Sequence, residues 1–383
     1  MKRSPASFAV AIFLSLFPLL GAAPIKAGES RPTWQSEWER TVAAAKREGR
    51  LTLYLYQGDG ELSAVADAFH QRYPEIAVTT VPGRGNQLGP RLMAERRAGK
   101  YLADLYIGGP TTPYTVLYQA KIIEPIRPAL ILPEVLDESL WWEGRHHYID
   151  PENSYIFVFV GSVSAGYVSY NTALMNPADF RSYWDLLHPR WKGKVLSKDP
   201  KVSGSQRIGV RIFYYTPELG AEFLRRLYST MDVTLTQEIR QATDWLAQGK
   251  FALCFFCSDV RKARSQGLPV DEFRTERWKE TKATSAGSIG SLVLLSQAPH
   301  PNAARLFINW LLSREGQIAF QKIANSPINA EESMRIDIPK DPIPPEDRRV
   351  EGMKYLLADR PEFMEMKPIY ELLDKALAQA GKR

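Results

Sequence analysis

Apolar residues along the chain recur with two spacings that alternate. Strand-length apolar runs lie at 51–56, 76–81 and 103–107, and a glycine-rich or polar turn follows each of them. Between these runs, segments such as 61–73 place apolar side chains three and four positions apart, which is the spacing of an amphipathic helix. Strands that alternate with helices form βαβ units. The pattern therefore predicts an α/β fold with mostly parallel sheets flanked by helices.

The same alternation returns in the second half of the chain. Helical spacing follows Ser203 and recurs over 237–248, and strand-like runs lie at 251–256 and 288–295. The last of these runs leads into a helix with apolar positions at Leu306, Phe307, Trp310 and Leu311, for which Asn302 is a suitable N-terminal cap. A second set of strands and helices therefore follows the first.

The N-terminus has the composition of a secretory signal peptide. Lys2 and Arg3 precede an apolar run over 8–20, and small residues follow it up to a possible cleavage site after Ala27, with alternatives after Ala22 and Ala23. The run is shorter than the roughly 20 apolar residues that a membrane-spanning helix needs. The sequence therefore predicts a cleaved signal peptide over residues 1–27 and a periplasmic location.

The C-terminal part follows a different pattern. Prolines cluster over 338–347, which predicts a linker, and helical spacing then predicts helices at roughly 348–358 and 368–379. Without residues 1–27, the chain is still longer than one ordinary hydrophobic core requires, so we expect two domains.

The charge distribution argues against nucleic acid as a partner. The full chain has a formal net charge of +6, and the signal peptide accounts for three basic residues and no acidic one, which leaves +3 (6 − 3). Basic and acidic residues are interspersed along the remainder rather than gathered into a basic face. We therefore expect no nucleic-acid binding.

Cys254 and Cys257 are the two cysteines of the chain, and they lie within the apolar run 251–256 or just after it. Positions three apart on a strand point to opposite faces, which prevents a disulfide unless the strand ends there. Buried free thiols and a local disulfide therefore both remain open. A zinc site would need two further ligands, and nothing nearby supplies them at the usual spacing.

Sequence motifs of enzymes are missing or incomplete. Residues 162–166 read Ser-Val-Ser-Ala-Gly rather than Gly-x-Ser-x-Gly, and the glycine pair around Arg84 lacks the third glycine of a dinucleotide-binding loop. The five histidines show no setting typical of a catalytic triad. Glu143, His146, His147 and Asp150 could be imagined as metal ligands, but a surface loop is the simpler interpretation. We therefore predict no enzymatic activity, no cofactor and no metal.

Two turns have the composition of anion-binding sites. Gly83–Asn86 and Ser203–Ser205 each come directly before a predicted helix, where free backbone N–H groups can hold a phosphate, sulfonate or carboxylate. Arg84 and Arg207 could add charge-assisted hydrogen bonds. The alternative is that these residues are ordinary caps and turns.

The candidate ligand-binding residues lie in loops after predicted strands, where α/β sheets bind ligands, and at the crossover between domains. Asp59 and Asp259 would suit an ammonium group on a zwitterionic ligand, or else they cap helices. The full set is Gln57, Asp59, Arg84, Asn86, Thr111 and Thr112 in the first half, Ser164 and Tyr170 at the crossover, and Ser203, Ser205, Arg207, Ser258 and Asp259 in the second half.

Three stretches carry a family resemblance. They are 296–317, which reads SQAPHPNAARLFINWLLSREGQ; 83–85 together with 95–109; and 191–200, which contains Trp-Lys-Gly-Lys and Asp-Pro. The chain from about Trp34 to Ala330 resembles extracellular solute-binding proteins that serve ABC importers. Within these proteins it is most similar to the ferric-iron-type branch.

The resemblance implies a type II periplasmic-binding-protein fold. Two α/β lobes joined by crossing strands would close over a small polar or anionic solute, and the protein, as a monomer, would deliver it transiently to a membrane permease. The implied boundaries are 32–168 with 286–335 for lobe 1, 169–285 for lobe 2, and 336–383 for a proline-rich linker and C-terminal helices.

The chain departs from the iron-binding members of this branch. Those proteins use adjacent tyrosines after a strand of the second lobe, whereas the matching residues 252–257 read Ala-Leu-Cys-Phe-Phe-Cys. The matching first-lobe ligand loop, 57–61, has no histidine. A ligand other than ferric iron is therefore expected. The alternatives are ferric-ion transport, and an enzyme or a sensor-linked receptor on the same scaffold.

Overall fold

A computed structural model describes residues 33–56, 62–163, 167–202, 205–275, 277–287, 289–326 and 330–381, together with Met1. The predicted signal peptide thus lies outside the described residues, apart from Met1. The helices are α1 Thr33–Glu48, α2 Ser63–Arg72, α3 Gly85–Arg97, α4 Pro133–Leu136, α5 Ser205–Tyr215, α6 Gly220–Thr230, α7 Ile239–Ala247, α8 Val260–Ser265, α9 Pro301–Leu312, α10 Arg314–Ala324 and α11 Lys367–Gln379.

Fifteen strands form three sheets within the described residues. They are β1 Arg50–Tyr56, β2 Ala77–Gly83, β3 Leu105–Gly108, β4 Ile123–Glu124, β5 His147–Tyr148, β6 Ile156–Val158, β7 Ser162–Val163, β8 Val168–Asn171, β9 Val195–Lys198, β10 Thr234–Thr236, β11 Leu253–Phe255, β12 Val270–Glu272, β13 Lys282–Ser285, β14 Ser291–Leu295 and β15 Tyr355–Leu357.

Lobe 1 is built on the larger sheet, whose order is β2-β1-β3-β14-β6-β5, with β4 beside β14. Leu51, Leu53 and Leu55 of β1 are buried, as is the intervening Tyr54. Burial on both faces is typical of a central parallel strand that is covered by helices on each side. The sheet therefore forms the centre of a layered α/β lobe.

Helix α9 occupies the core of lobe 1. Phe307 and Trp310 pack against Phe69 of α2, with ring centroids 5.0 and 5.3 Å apart. The predicted cap Asn302 lies inside the first turn instead, because α9 begins at Pro301. The helix N-terminus is satisfied by α1, since the Glu48 carboxylate accepts from the backbone N–H of residue 303 at 2.7 Å.

Lobe 2 is built on the sheet β10-β9-β11-β8-β12. Its core is rich in aromatic side chains: Phe213 of α5 packs edge-on against Tyr183, with centroids 4.8 Å apart, and against Phe223 of α6 at 5.5 Å. All three side chains are buried. The two-lobed α/β fold is therefore confirmed.

The sheets are more mixed than the sequence predicts. β1 pairs in parallel with β2 and β3, whereas β14 pairs antiparallel with both β3 and β6. The chain comes back from lobe 2 at the edge where β3 ends, so β14 has to run in the opposite direction. Sequence periodicity marks the strands but does not report this return direction.

A third, small sheet joins the lobes. β7 and β13 pair antiparallel as the two crossovers, and β15 pairs in parallel with β13. The helix predicted over 348–358 is therefore wrong, because three of its residues form β15. The helix predicted over 368–379 is confirmed as α11, which packs against α6 in lobe 2.

Cys254 and Cys257 form a disulfide, which decides between the two alternatives that the sequence leaves open. Strand β11 ends at Phe255, and Phe256 adopts a left-handed backbone with φ of 59°. This turn brings the two Cα atoms to 5.8 Å, within the range that a disulfide spans. Among the helices that the structure describes, none combines the length and apolar character needed to cross a bilayer.

Candidate functional site

The carboxyl ends of β1, β2 and β3 lie at one edge of the lobe 1 sheet, because the three strands are parallel. Arg84 and Asn86 follow β2 where α3 begins, and both are exposed. Thr111 and Thr112 follow β3 and are half-buried. These four predicted residues therefore gather at the edge of lobe 1 where ligands bind in such sheets.

Gly85 allows the loops after β2 and β3 to touch. A Cβ atom at this position would lie 2.3 Å from the Thr112 Oγ1 and 3.5 Å from the Tyr106 hydroxyl, so no larger residue fits without displacement. Burial raises the pKa of Tyr106 to about 12, and a hydrogen bond with Thr112 opposes this shift. Tyr106 is thus a neutral group that forms a hydrogen bond with Thr112.

Lobe 2 presents Lys198 to the same groove. This lysine ends β9 and is only 4% exposed. Burial lowers its pKa, the Asp259 carboxylate raises it, and the Arg84 guanidinium lowers it further. Arg84 belongs to lobe 1, so the two cations influence each other across the space between the lobes. Within the described residues, neither side chain forms an ion pair.

Lys198 was missed by the sequence analysis. The signal was a lysine at the end of the strand-like run 195–198, directly before Asp199-Pro200. A lysine at that position is equally typical of the polar end of a strand. Only the effect of Arg84, a residue of the opposite lobe, marks Lys198 as a candidate for the groove.

The loop after β11 adds Ser258 and Asp259. The Ser258 Oγ is buried and has no hydrogen-bond partner among the described atoms, while its carbonyl accepts from the Thr243 hydroxyl at 3.0 Å. Asp259 is exposed, has a left-handed backbone with φ of 67°, and makes no side-chain hydrogen bond to the N-terminus of α8. Of the two alternatives that the sequence leaves open for Asp259, helix capping is therefore excluded, and its carboxylate acts on Lys198.

The disulfide loop and helix α5 pack closely. A Cβ atom at Gly209 of α5 would come within 2.5 Å of the Phe256 ring and 2.6 Å of the Tyr167 ring. Arg207 precedes this contact on α5 and is half-buried. The contact holds α5 and the loop that carries Ser258 in a fixed relation.

Not every predicted site residue can be placed at the groove. Tyr170 is a correction: it lies on β8, is 5% exposed, and packs in the lobe 2 core with its ring 4.5 Å from Phe273. Ser205 begins α5. The predicted residues Gln57, Asp59, Ser164 and Ser203 lie outside the described residues.

The predicted surface loop around His146 is also a correction, because both of its histidines are buried. The Nε2 atoms of His146 and His147 lie 2.8 and 2.9 Å from the carbonyl oxygens of Val135 and Trp142. Burial lowers the pKa of His147 to about 4. Asp150 accepts three backbone N–H groups. Across the described part of the chain, no group of three His, Cys, Asp or Glu residues is arranged to hold a metal ion.

A cavity of about 440 Å³ lies elsewhere, between the β5–β6 end of lobe 1, the crossover β13 and the segment 357–362. None of the candidate ligand-binding residues lines it. The groove between Arg84 and Lys198 is therefore a separate feature.

Comparison with known proteins shows what this chain is similar to. Residues 153–323 match the family model described as bacterial extracellular solute-binding protein. The chain is also 22% identical over 283 residues to an uncharacterized protein of Haemophilus influenzae, covering 72% of this chain and 76% of the relative.

Solved periplasmic binding proteins share the fold of this chain. AfuA from Actinobacillus pleuropneumoniae, solved with exogenous fructose-6-phosphate bound, is 17% identical with a TM-score of 0.56 over 87% of this chain and 99% of its own. Iron-bound HitA from Pseudomonas aeruginosa is 20% identical with a TM-score of 0.54 over 87% of this chain and 98% of its own. The predicted periplasmic-binding-protein fold is confirmed.

Proposed function

We propose that this chain is the periplasmic solute-binding component of an ABC importer and that it captures a small anionic solute between its lobes. The observation that carries the proposal is the pair formed by Arg84 and Lys198. One belongs to each lobe, and the pKa of Lys198 responds to Arg84. A ligand held by both lobes is what such a receptor passes to its permease.

The Asp259 and Glu238 carboxylates raise the pKa of Lys198, but within the described residues neither forms an ion pair with it. Lys198 is buried, and a buried charge is costly unless it is paired. An anionic group between Arg84 and Lys198 would accept charge-assisted hydrogen bonds from both, and these bonds are shorter and stronger than neutral ones. Because both contacts exist together only when the lobes approach, the anion shifts the population toward the closed arrangement.

A phosphorylated small molecule is the ligand class that we favour. The buried, unpartnered Ser258 Oγ is a further donor directly before Asp259, whose carboxylate acts on Lys198, and the backbone N–H groups at the start of α3 lie beside Arg84. One structural relative was solved with fructose-6-phosphate bound. Fructose 6-phosphate is therefore the first compound to test, and we assign binding and release without chemical change.

Ferric iron is the second candidate, and the disulfide argues against it. HitA was solved with iron bound. In this chain, residues 252–257, which match the tyrosine-bearing position by the family resemblance, contain no tyrosine, and Cys254 and Cys257 among them form a disulfide. Disulfide sulfurs are not thiolates and so are poor ligands for a metal ion. We therefore expect no charge-transfer colour when ferric citrate is added to the purified protein.

Isothermal titration calorimetry tests the proposal with three compounds: fructose 6-phosphate, fructose and inorganic phosphate. We expect the phosphate ester to bind at one molecule per chain and fructose to give no measurable heat. Inorganic phosphate reports whether the anionic group alone is enough. Equal binding of fructose and its phosphate would contradict the role of the two cations.

A further inference from the structure

The segment after lobe 1, residues 337–381, crosses to lobe 2, and we call it the C-terminal strap. Just before it, Ser333 and Arg335 form isolated β-bridges with Val160 and Trp141 of lobe 1. At its far end, α11 packs against α6 and α5 of lobe 2. The strap is therefore a third covalent connection between the lobes, beside the two crossovers.

Arg349 fastens the strap to lobe 1. Its guanidinium donates to the carbonyl oxygens of Gly161 and Ser333, and its side chain is only 3% exposed. Its backbone N–H donates to the Glu332 carboxylate at 2.6 Å. The guanidinium also lies over the Trp142 ring, 5.2 Å from its centre. This anchor therefore combines hydrogen bonds, an ion pair and an aromatic contact.

Asp347 fastens the strap to lobe 2, only two residues earlier. Its two carboxylate oxygens accept from the two terminal nitrogens of Arg261, each at 2.8 Å. Arg274 adds a contact at 3.4 Å, and the Nε of Arg261 donates to Glu272 at 2.9 Å. The Asp347 side chain is 4% exposed. Two parallel N–H···O bonds fix both the distance and the orientation of this anchor.

The strap also touches the crossover and the helix at the groove. β15 lies alongside β13, and the Asp359 carboxylate accepts from the backbone N–H of Ala286 directly after β13. Arg211 of α5 lies 3.6 Å from the same carboxylate. The strap therefore contacts α5, the helix that carries Arg207, and the crossover on which the lobes turn.

We propose that the C-terminal strap sets the resting angle between the lobes, with Arg349 and Asp347 as its anchors on opposite lobes. An extended chain spans at most about 3.6 Å per residue, so two positions reach roughly 7 Å. While both anchors hold, this short backbone link and the Arg349 and Arg261 side chains limit how far Gly161 and Arg261 can separate. Opening and closing therefore pivot about this point. The proposal concerns lobe motion, and it stands even if the groove binds no phosphate.

Distance measurements by double electron–electron resonance test the strap without any ligand. Spin labels attached through Asp67→Cys on α2 and Arg240→Cys on α7 report the separation of the lobes, and both positions are exposed. The native cysteines are joined to each other and do not take up label. In an Asp347→Asn background we expect the mean distance to shift by several ångströms and the distribution to broaden. Asp341→Asn is the matched control, because Asp341 is an exposed acid on the same strap.

Two results distinguish the loss of the strap anchor from a general loss of folded structure. Arg261→Lys keeps the charge but loses the paired N–H bonds, so it should broaden the distribution in the same sense. It also provides the test if the Asp347→Asn protein fails to fold. A variant that melts cooperatively and gives the distance distribution of the unmodified protein would overturn the proposal.

Discussion

Charged side chains lie between the lobes at two places, the groove and the C-terminal strap. The cations are unpaired at the first place and paired at the second. At the groove, Arg84 of lobe 1 lowers the pKa of Lys198 of lobe 2, and neither forms an ion pair within the described residues. At the strap, Arg349 pairs with Glu332 and Arg261 pairs with Asp347. A paired cation holds two surfaces together, whereas an unpaired one is ready for a partner from outside. The difference separates what fixes the lobes from what is left for a solute.

The largest expected effect comes from breaking a paired cation. Arg349→Met leaves the buried Glu332 carboxylate without one of its partners and removes the lobe 1 anchor. Breaking a buried ion pair costs about 3–5 kcal/mol, so we expect the free energy of unfolding to fall by that order. Urea unfolding followed by circular dichroism measures this change.

Arg225→Met is the matched control, because Arg225 pairs with Glu222 on the exposed surface of α6. Exposed pairs contribute little, so this variant should unfold at the midpoint of the unmodified protein. Equal losses in the two variants would show that the strap anchor is no stronger than a surface contact.

A buried carboxyl between the crossovers sharpens the comparison, since no cation of the described residues forms an ion pair with it. Glu331 accepts from the Ser162 hydroxyl at 2.7 Å, and burial raises its pKa to about 7. The native state therefore holds this proton more tightly than the unfolded state does. Stability from Glu331 is fully present below its ordinary pKa and is lost as the pH rises toward 7.

Glu331→Gln should remove that pH dependence. Between pH 4.5 and pH 7, we expect the unmodified protein to lose about 3 kcal/mol relative to the variant, since one pKa unit corresponds to about 1.4 kcal/mol. Chemical denaturation at several pH values measures the difference. If the free energy of unfolding changes with pH equally in the two proteins, Glu331 is not the source of the pH dependence.

The smallest effect, and the one with a diagnostic sign, concerns Lys198. Replacing a buried, unpaired lysine by methionine removes a desolvation cost, so Lys198→Met should raise the free energy of unfolding of the empty protein by about 1 kcal/mol. The same change should weaken binding of fructose 6-phosphate tenfold or more, which is about 1.4 kcal/mol. Lys194→Met, an exposed lysine in the same lobe, should change neither quantity. A Lys198 variant that loses stability would show the lysine to be structural.

Much of the fold could be predicted because it depends on local periodicity. The apolar positions of α9 predict a packed helix, and Phe307 and Trp310 are indeed in the core. The predicted helix over 348–358 failed because its residues pair with β13, a contact far away in sequence. Long-range pairing of this kind leaves no periodic signal in a short segment.

The groove could be predicted only in part. Arg84 follows a strand and opens a helix, so local signals are enough to place it. Lys198 is recognised as a candidate only through its electrostatic interaction with Arg84 of the other lobe. The missing hydrogen-bond partner of the Ser258 Oγ is visible only from the packing around it. The cysteine pair required knowing that β11 stops at Phe255.

One measurement tests the central claim most directly, namely that an anion held by both lobes draws them together. The distance between labels at Asp67→Cys and Arg240→Cys is recorded with and without fructose 6-phosphate, in the otherwise unmodified protein and in a Lys198→Met background. We predict that the sugar phosphate shortens the distance in the first protein, that fructose does not, and that the effect is lost in the second. The same shortening with fructose, or its persistence without Lys198, would contradict the account.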